Sequence, residues 1–117
     1  MLRLKPASEI TKGKPLVSIK DLQPEMVFGS ILVEQVYKHF DLVAVITSGT
    51  EGYDGDGEHK DGSLHYTGYA LDFRKRTVPK AYRGIFLEQL REVLGHEFDV
   101  VDSGPCYHVE FDPKEVI

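Results

Sequence analysis

Apolar residues recur at helical spacing in a segment that begins near Pro24. Phe28, Leu32, Val36 and Phe40 follow one another every four residues, which is the spacing of one face of an α-helix. The proline lies at the first helical position, where its missing N–H costs nothing. The pattern therefore predicts an amphipathic helix that runs to about Phe40.

A second helix is predicted after the pair Val78-Pro79. Gly95 suits its C-terminal cap, because glycine adopts the left-handed conformation that often ends a helix. Its predicted buried face consists of Tyr82, Phe86, Leu90, Val93 and Leu94.

Strand patterns occupy residues 42–47, 68–73, 98–101 and 106–111. The first is continuously apolar and β-branched, and the others alternate or follow turn residues. Because these strands and helices show no repeating βαβ order, we expect an α+β fold with a small, mainly antiparallel sheet and two helices packed against it. Side chains two residues apart share a face, so the last strand presents Cys106, His108 and Glu110 together.

Length and charge limit the class of protein. The chain of 117 residues fits a single domain, in which residues 1–15 form an extended N-terminal arm, with a short strand expected at 16–19. A net charge of −5 without a long basic run disfavours nucleic-acid and anionic-membrane partners. One cysteine, Cys106, excludes an intramolecular disulfide. No signal peptide or membrane-spanning segment is evident.

The glycine- and aspartate-rich segment 48–62 is longer than a simple connector, which favours a functional loop. Asp54, Asp56 and Glu58 alternate as the ligands at the start of a calcium loop do. His59, however, occupies the place of the obligatory glycine, and no glutamate stands at position twelve of the loop. An EF-hand is therefore rejected, and a calcium site of another kind at these carboxylates stays open.

Two histidines and one carboxylate suggest metal chemistry. His65 and Asp72 stand seven positions apart, and His108 lies in the last predicted strand. Two imidazoles and a carboxylate can bind a catalytic zinc and leave its fourth position open. From spacing alone the alternative stays open, in which His65 caps a turn, Asp72 is a surface carboxylate and His108 is an ordinary strand residue.

A longer motif brings in a known family. Its residues are Ser63-x-His65-x-x-Gly68-x-Ala70-x-Asp72, followed by His108-Val109-Glu110. Over roughly residues 22–113 the chain resembles the zinc peptidases of the D-alanyl-D-alanine carboxypeptidase superfamily, which includes phage L-alanyl-D-glutamate endopeptidases and the Hedgehog signalling domain. The resemblance is strongest to small phage-type members. It implies a Hedgehog/DD-peptidase fold with His65, Asp72 and His108 as the ligands of Zn²⁺.

The resemblance also implies an activity, the hydrolysis of peptidoglycan stem peptides by a metal-activated water, at an L-Ala-D-Glu bond or at D-Ala ends. It places Ser63 beside the substrate and His59 in the substrate loop. Many relatives carry the catalytic acid three residues before the last histidine, where this chain has Pro105. Asp102 is therefore the first candidate for the general base, and Glu110 the second.

Other departures from the family leave alternatives open. Relatives often carry an arginine near the position of Glu51, where it stabilises the oxyanion, and Lys60 or His59 are the possible substitutes. A zinc-containing wall-binding or phage structural module without catalysis is the alternative function. A purely structural zinc is disfavoured, because Cys106, the sole thiol, is awkwardly close to His108 for both to bind one ion. We expect a monomer made in the cytoplasm and, if phage-encoded, released to the cell wall.

Overall fold

Five strands form one sheet in the computed structural model, which describes residues 2–53 and 56–112. The strands, in chain order, are β1 (Leu2–Leu4), β2 (Ala44–Ser48), β3 (Ala70–Arg74), β4 (Phe98–Asp102) and β5 (Cys106–Phe111). The helices are α1 (Pro24–His39) and α2 (Arg83–Leu94). Across the sheet the order is β1-β2-β3-β5-β4. The predicted α+β class is confirmed.

The sheet is mixed, which departs in part from the expected antiparallel arrangement. The pairs β2–β3, β3–β5 and β4–β5 are antiparallel, but β1 runs parallel to β2, with Leu2 opposite Ala44. Parallel neighbours need a long crossover, and here α1 lies between the two strands in the chain. The first residues of the predicted arm thus belong to the sheet.

The strand expected at residues 16–19 is not present. This segment is held instead by separate hydrogen bonds to the loop after β2. The Thr50 amide donates to the Ser18 carbonyl at 2.7 Å, and the Ser18 amide donates to the Glu51 carboxylate at 3.1 Å. A side chain thus accepts the Ser18 amide proton, and no regular ladder forms.

Helix ends follow the sequence signals. Pro24 begins α1, and Gly95, with φ of 84°, caps α2 while its amide donates to the Arg91 carbonyl. A 3₁₀ turn over Lys80–Tyr82 precedes α2. Within the described residues, no helix has the length and apolar content to cross a membrane.

One face of the sheet packs with the two helices to form the core. The buried cluster includes Met26, Val33 and Tyr37 of α1, Phe86 and Leu90 of α2, and Leu71, Phe73, Tyr107 and Val109 of the sheet. Some residues predicted on the buried faces are exposed instead: Phe28 (59%), Tyr82 (53%) and Val93 (39%). The core stripe of α1 centres on Met26, Val33 and Tyr37 and turns Phe28 outward, whereas Tyr82 precedes α2.

Strand alternation assigns the polar residues of β3 and β5 to the opposite face. Asp72 lies directly across from His108 in the register of this pair, and Ala70 lies across from Glu110. Since Leu71 and Val109 point into the core, Asp72 and His108 must point away from it. The helix-free face of the sheet therefore carries the residues of chemical interest.

Gly68 closes the turn between His65 and β3 against the segment that enters α1. Its φ is 84°, and a Cβ built on it would lie 2.6 Å from the Asp21 carbonyl oxygen. The Gly68 carbonyl accepts a hydrogen bond from the Gln23 amide at 3.1 Å. Only glycine satisfies both the positive φ and the close approach.

We expect Gly68→Ala to lower the free energy of unfolding by about 2 kcal/mol, because it combines backbone strain with a clash against main chain. Gly84→Ala in α2 is the matched control, since no atom lies within 4 Å of a Cβ built there. In this helix alanine is expected to stabilise by about 0.5–1 kcal/mol. Urea denaturation of both variants measures the difference, and equal effects would contradict the assignment.

Candidate metal centre

Three predicted ligands converge on the helix-free face of the sheet. His65 Nε2 lies 3.4 Å from Asp72 Oδ2, and His108 Nδ1 lies 2.8 Å from Asp72 Oδ1. One ligand atom from each of the three residues lies within 4.8 Å of the other two. This set is the group that the sequence motif singled out.

Local hydrogen bonds fix the orientation of His65, which is only 3% exposed. Its amide donates to Ser63 Oγ at 3.2 Å, so the Ser63 hydroxyl braces the turn. Its Nδ1 lies 2.9 Å from the carbonyl oxygen of Gly49, which can only accept. In the neutral ring Nδ1 therefore carries the proton, and the lone pair of Nε2 faces Asp72.

A second imidazole stacks flat on His65. The ring centroids of His59 and His65 are 4.0 Å apart with an interplanar angle of 3°. Ser48 Oγ donates to Glu51 at 2.6 Å and lies 3.1 Å from His59 Nε2. Because the single hydroxyl proton goes to the carboxylate, Nε2 of His59 is the donor to Ser48. The Ser48 contact and the stacking thus hold the His59 ring against one face of the His65 ring.

Glu110 holds the third ligand from behind. His108 Nε2 lies 2.7 Å from Glu110 Oε1, so in the neutral ring with its proton on Nε2 that proton is donated to Glu110 and the Nδ1 lone pair faces Asp72. A metal-binding histidine commonly gives its other N–H to a carboxylate, which sets the tautomer and the ring orientation. The geometry therefore gives Glu110 a positioning role at His108.

The donor set suits a metal ion. The Asp72 carboxylate faces both imidazoles, with Oδ2 3.4 Å from His65 Nε2 and Oδ1 2.8 Å from His108 Nδ1. When these two nitrogens carry no proton, their lone pairs face the carboxylate, and a metal ion bound among the three groups would remove the repulsion. The buried His65-Asp72-His108 group could thus hold a metal.

Protonation of the metal-free site follows from the same contacts. Burial alone raises the pKa of Asp72, but hydrogen bonds from His108 and His65 outweigh it and lower that pKa to about 2. The bond to Asp72 raises the pKa of His108, against a smaller effect of burial. Burial is also the main cause that lowers the pKa of His59. In the absence of metal, these contacts favour the protonated form of His108.

The first candidate for the base, Asp102, lies elsewhere. It is opposite the buried Tyr107 in the β4–β5 register, whereas Val101 is opposite His108. Asp102 thus belongs to the helix side of the sheet, where its oxygens bind Lys75 Nζ at 2.7 and 2.8 Å. That bond is the main cause that lowers the pKa of Asp102. The structure therefore does not bring Asp102 to the ligands.

A groove surrounds the ligands. One cavity of about 560 Å³ contains Ser63, His59, Asp72, His108 and Glu110, so the predicted substrate residues and the second candidate base share it with the ligands. Asp72 also borders two adjoining cavities of about 310 and 430 Å³. Asp72 therefore borders three cavities, and His65 and His108 border the first of them.

Two supporting residues were not predicted from the sequence. Gly49 orients His65 through its carbonyl, and a Cβ there would lie 2.1 Å from the Ser18 carbonyl oxygen. Glu51, only 8% exposed, accepts hydrogen bonds from the Gly49 and Ser18 amides and from Ser48. The Gly49–His65 and Ser18–Glu51 contacts join segments that are 16 and 33 residues apart, so no local pattern marks them. Of the calcium-like run, Asp54 lies outside the described residues.

No family model and no curated protein matches the chain.

The carboxylate of Asp72 makes the stability of the metal-free protein depend on pH. The pKa of Asp72 is 3.8 ordinarily and about 2 in the fold. The ionised carboxylate therefore stabilises the folded protein above pH 4, and this stabilisation is lost as the pH falls to 2. The contribution is about 2 kcal/mol. We expect the difference in unfolding free energy between the parent and Asp72→Asn to shrink by that amount between pH 5 and pH 2. Urea unfolding with chelator measures it, and a constant difference would contradict the pairing.

We expect Glu110→Gln to weaken zinc binding by about 10–100-fold, because the amide supports the imidazole less well than a carboxylate does. Asp102→Asn is the matched control, since Asp102 binds Lys75 on the other side of the sheet, and its zinc affinity should equal that of the parent. Competition with a chromophoric chelator gives both affinities. Equal loss in the two variants would show that Glu110 does not hold His108.

Proposed function

We propose that this protein is a zinc-dependent peptidase that hydrolyses the stem peptides of bacterial peptidoglycan, with the Hedgehog/DD-peptidase fold of the superfamily it resembles. One observation carries the proposal. His65 Nε2, the Asp72 carboxylate and His108 Nδ1 converge beside one cavity, and the other nitrogen of each imidazole lies next to an acceptor oxygen.

The donor chemistry supports zinc. Two nitrogens and one carboxylate oxygen suit Zn²⁺, and three protein ligands are typical of catalytic rather than structural sites. Cys106, the sole thiol, lies on the same strand as His108 but is not part of the clustered group. A fourth coordination position would remain for water and would open into the groove.

The protein residues have separable roles in this proposal. Zinc, when bound, supplies an activated water and polarises the carbonyl of the scissile bond. Glu110 accepts a proton and returns it to the leaving amine, because it borders the groove beside His108 while Asp102 faces the helices. Ser63 and His59 bind the peptide on the side of His65.

A second function has an observation in its favour. Pro105 occupies the expected position of the base, Asp102 is bound to Lys75, and Glu110 already accepts from His108. With those carboxylates engaged, the groove could bind metal and peptide without cleaving it. The chain would then be a wall-binding module, such as a phage structural component.

Digestion of purified peptidoglycan separates the two functions. We expect the zinc-loaded protein to release new amino termini, chelation to abolish the release, and mass spectrometry of the fragments to name the bond. His65→Ala should lose both zinc and cleavage. Glu110→Gln at saturating zinc should lower kcat by about 10²–10⁴-fold, as loss of a general base does. Wall binding by a parent that never produces new termini would reject the peptidase and favour the binding module.

A further inference from the structure

We propose that a cationic cavity beside the metal centre binds a carboxylate of an acidic stem peptide. This inference rests on the proposed function and deepens it by assigning a part of the substrate to a site. The cavity has a volume of about 430 Å³ and is bordered by Lys5, Arg74 and Arg76, with Thr47 and Asp72 among its other residues.

The charge of this cavity is opposite to that of the whole protein. The chain carries a net charge of −5, yet three cationic side chains border this cavity against two carboxylates, Asp72 in the lining and Glu9 on the arginines. A concave surface of one sign concentrates ligands of the other sign. When a metal neutralises Asp72, the remaining charge of the cavity favours an anion.

The two arginines are held in place by the N-terminal arm. Arg74 lies two residues after Asp72 on the same face of β3, and its side chain is 11% exposed. Oε1 of Glu9 accepts hydrogen bonds from the Nη2 atoms of both Arg74 and Arg76, the latter at 3.2 Å. A guanidinium has five N–H donors. One shared oxygen therefore orients both groups and leaves donors for a second carboxylate.

Lys5 supplies the third charge. Its amide donates to the Ile46 carbonyl at 2.8 Å, which fixes it just beyond β1 beside β2. Its side chain is half-buried, and the described part of the chain provides no ion pair to its ammonium group. An ammonium group makes a charge-assisted hydrogen bond with a carboxylate. A ligand carboxylate in the cavity would be that partner.

The position of the cavity defines which ligand it takes. Asp72 borders both this cavity and the one that contains Ser63 and His108. A peptide with its scissile bond at the metal can therefore extend toward Lys5 and Arg76. Stem peptides carry two suitable groups, the α-carboxylate of the γ-linked D-glutamate and the C-terminal carboxylate.

Binding of matched peptides to the zinc-loaded protein tests the cavity. The probes are a stem tetrapeptide with both carboxylates, and two versions in which either the D-glutamate or the C-terminal carboxylate is a carboxamide. Calorimetric titration gives the affinities, and mass spectrometry checks that the peptide stays intact. If it is cut, the same comparison is made on KM. We expect one of the two amidations to weaken binding by roughly tenfold.

Charge-removing variants locate the preference. Lys5→Gln and Arg76→Gln should each reduce the preference for that carboxylate by at least threefold. Lys12→Gln is the matched control, because it removes the same charge from an exposed arm position outside the cavity, and it should keep the parent preference. The proposal that this cavity binds a carboxylate would be wrong if the parent bound all three peptides with equal affinity or bound none of them. It would also be wrong if Lys12→Gln lost the preference as much as Lys5→Gln and Arg76→Gln do.

The two proposals fail separately. Cleavage of peptidoglycan with no carboxylate preference would reject the cavity and keep the peptidase. If the carboxylate preference depends on Lys5 and Arg76 but the protein never cuts the peptide, the carboxylate-binding proposal stands and the peptidase proposal is rejected.

Discussion

The cross-strand pair of Asp72 and His108 is the constraint on which the site depends. The register of β3 with β5 places the two residues directly opposite, so their side chains meet at 2.8 Å. A slip by one residue would turn His108 toward the helices. Burial of Phe73 and Tyr107 on the other face opposes that slip. The packing of the hydrophobic core therefore sets the geometry of the polar face.

Sequence patterns predicted the parts of the molecule that local chemistry determines. The helix and strand periods are local, and the motif from Ser63 to Asp72 lies in one turn and strand, so these were found. The side of the sheet on which Asp102 lies was not, because it depends on the register across the turn before β5. Asp102 lies opposite Tyr107 rather than His108. Which carboxylate enters the groove is thus a property of pairing, not of spacing.

The N-terminal arm illustrates the second limit of sequence patterns. Its strand, Leu2–Leu4, is too short to show alternation, and its contacts reach far along the chain. Glu9 binds Arg74, 65 residues away, and the Ser18 amide binds Glu51, 33 residues away. Such pairs arise only when the fold brings the segments together. The arm nevertheless borders the two cavities that adjoin Asp72.

Glu110 has two proposed roles, to hold His108 and to act as the general base, and each role needs a different contact. To hold His108, it needs one oxygen on Nε2, and that contact is formed at 2.7 Å. To act as a base, it needs a carboxylate oxygen within about 2.6–3.2 Å of the water that attacks the peptide, so the second oxygen must do this work. Metal binding needs only the first contact. The two proposed functions, the peptidase and the wall-binding module, therefore differ in the use of one carboxylate oxygen of Glu110.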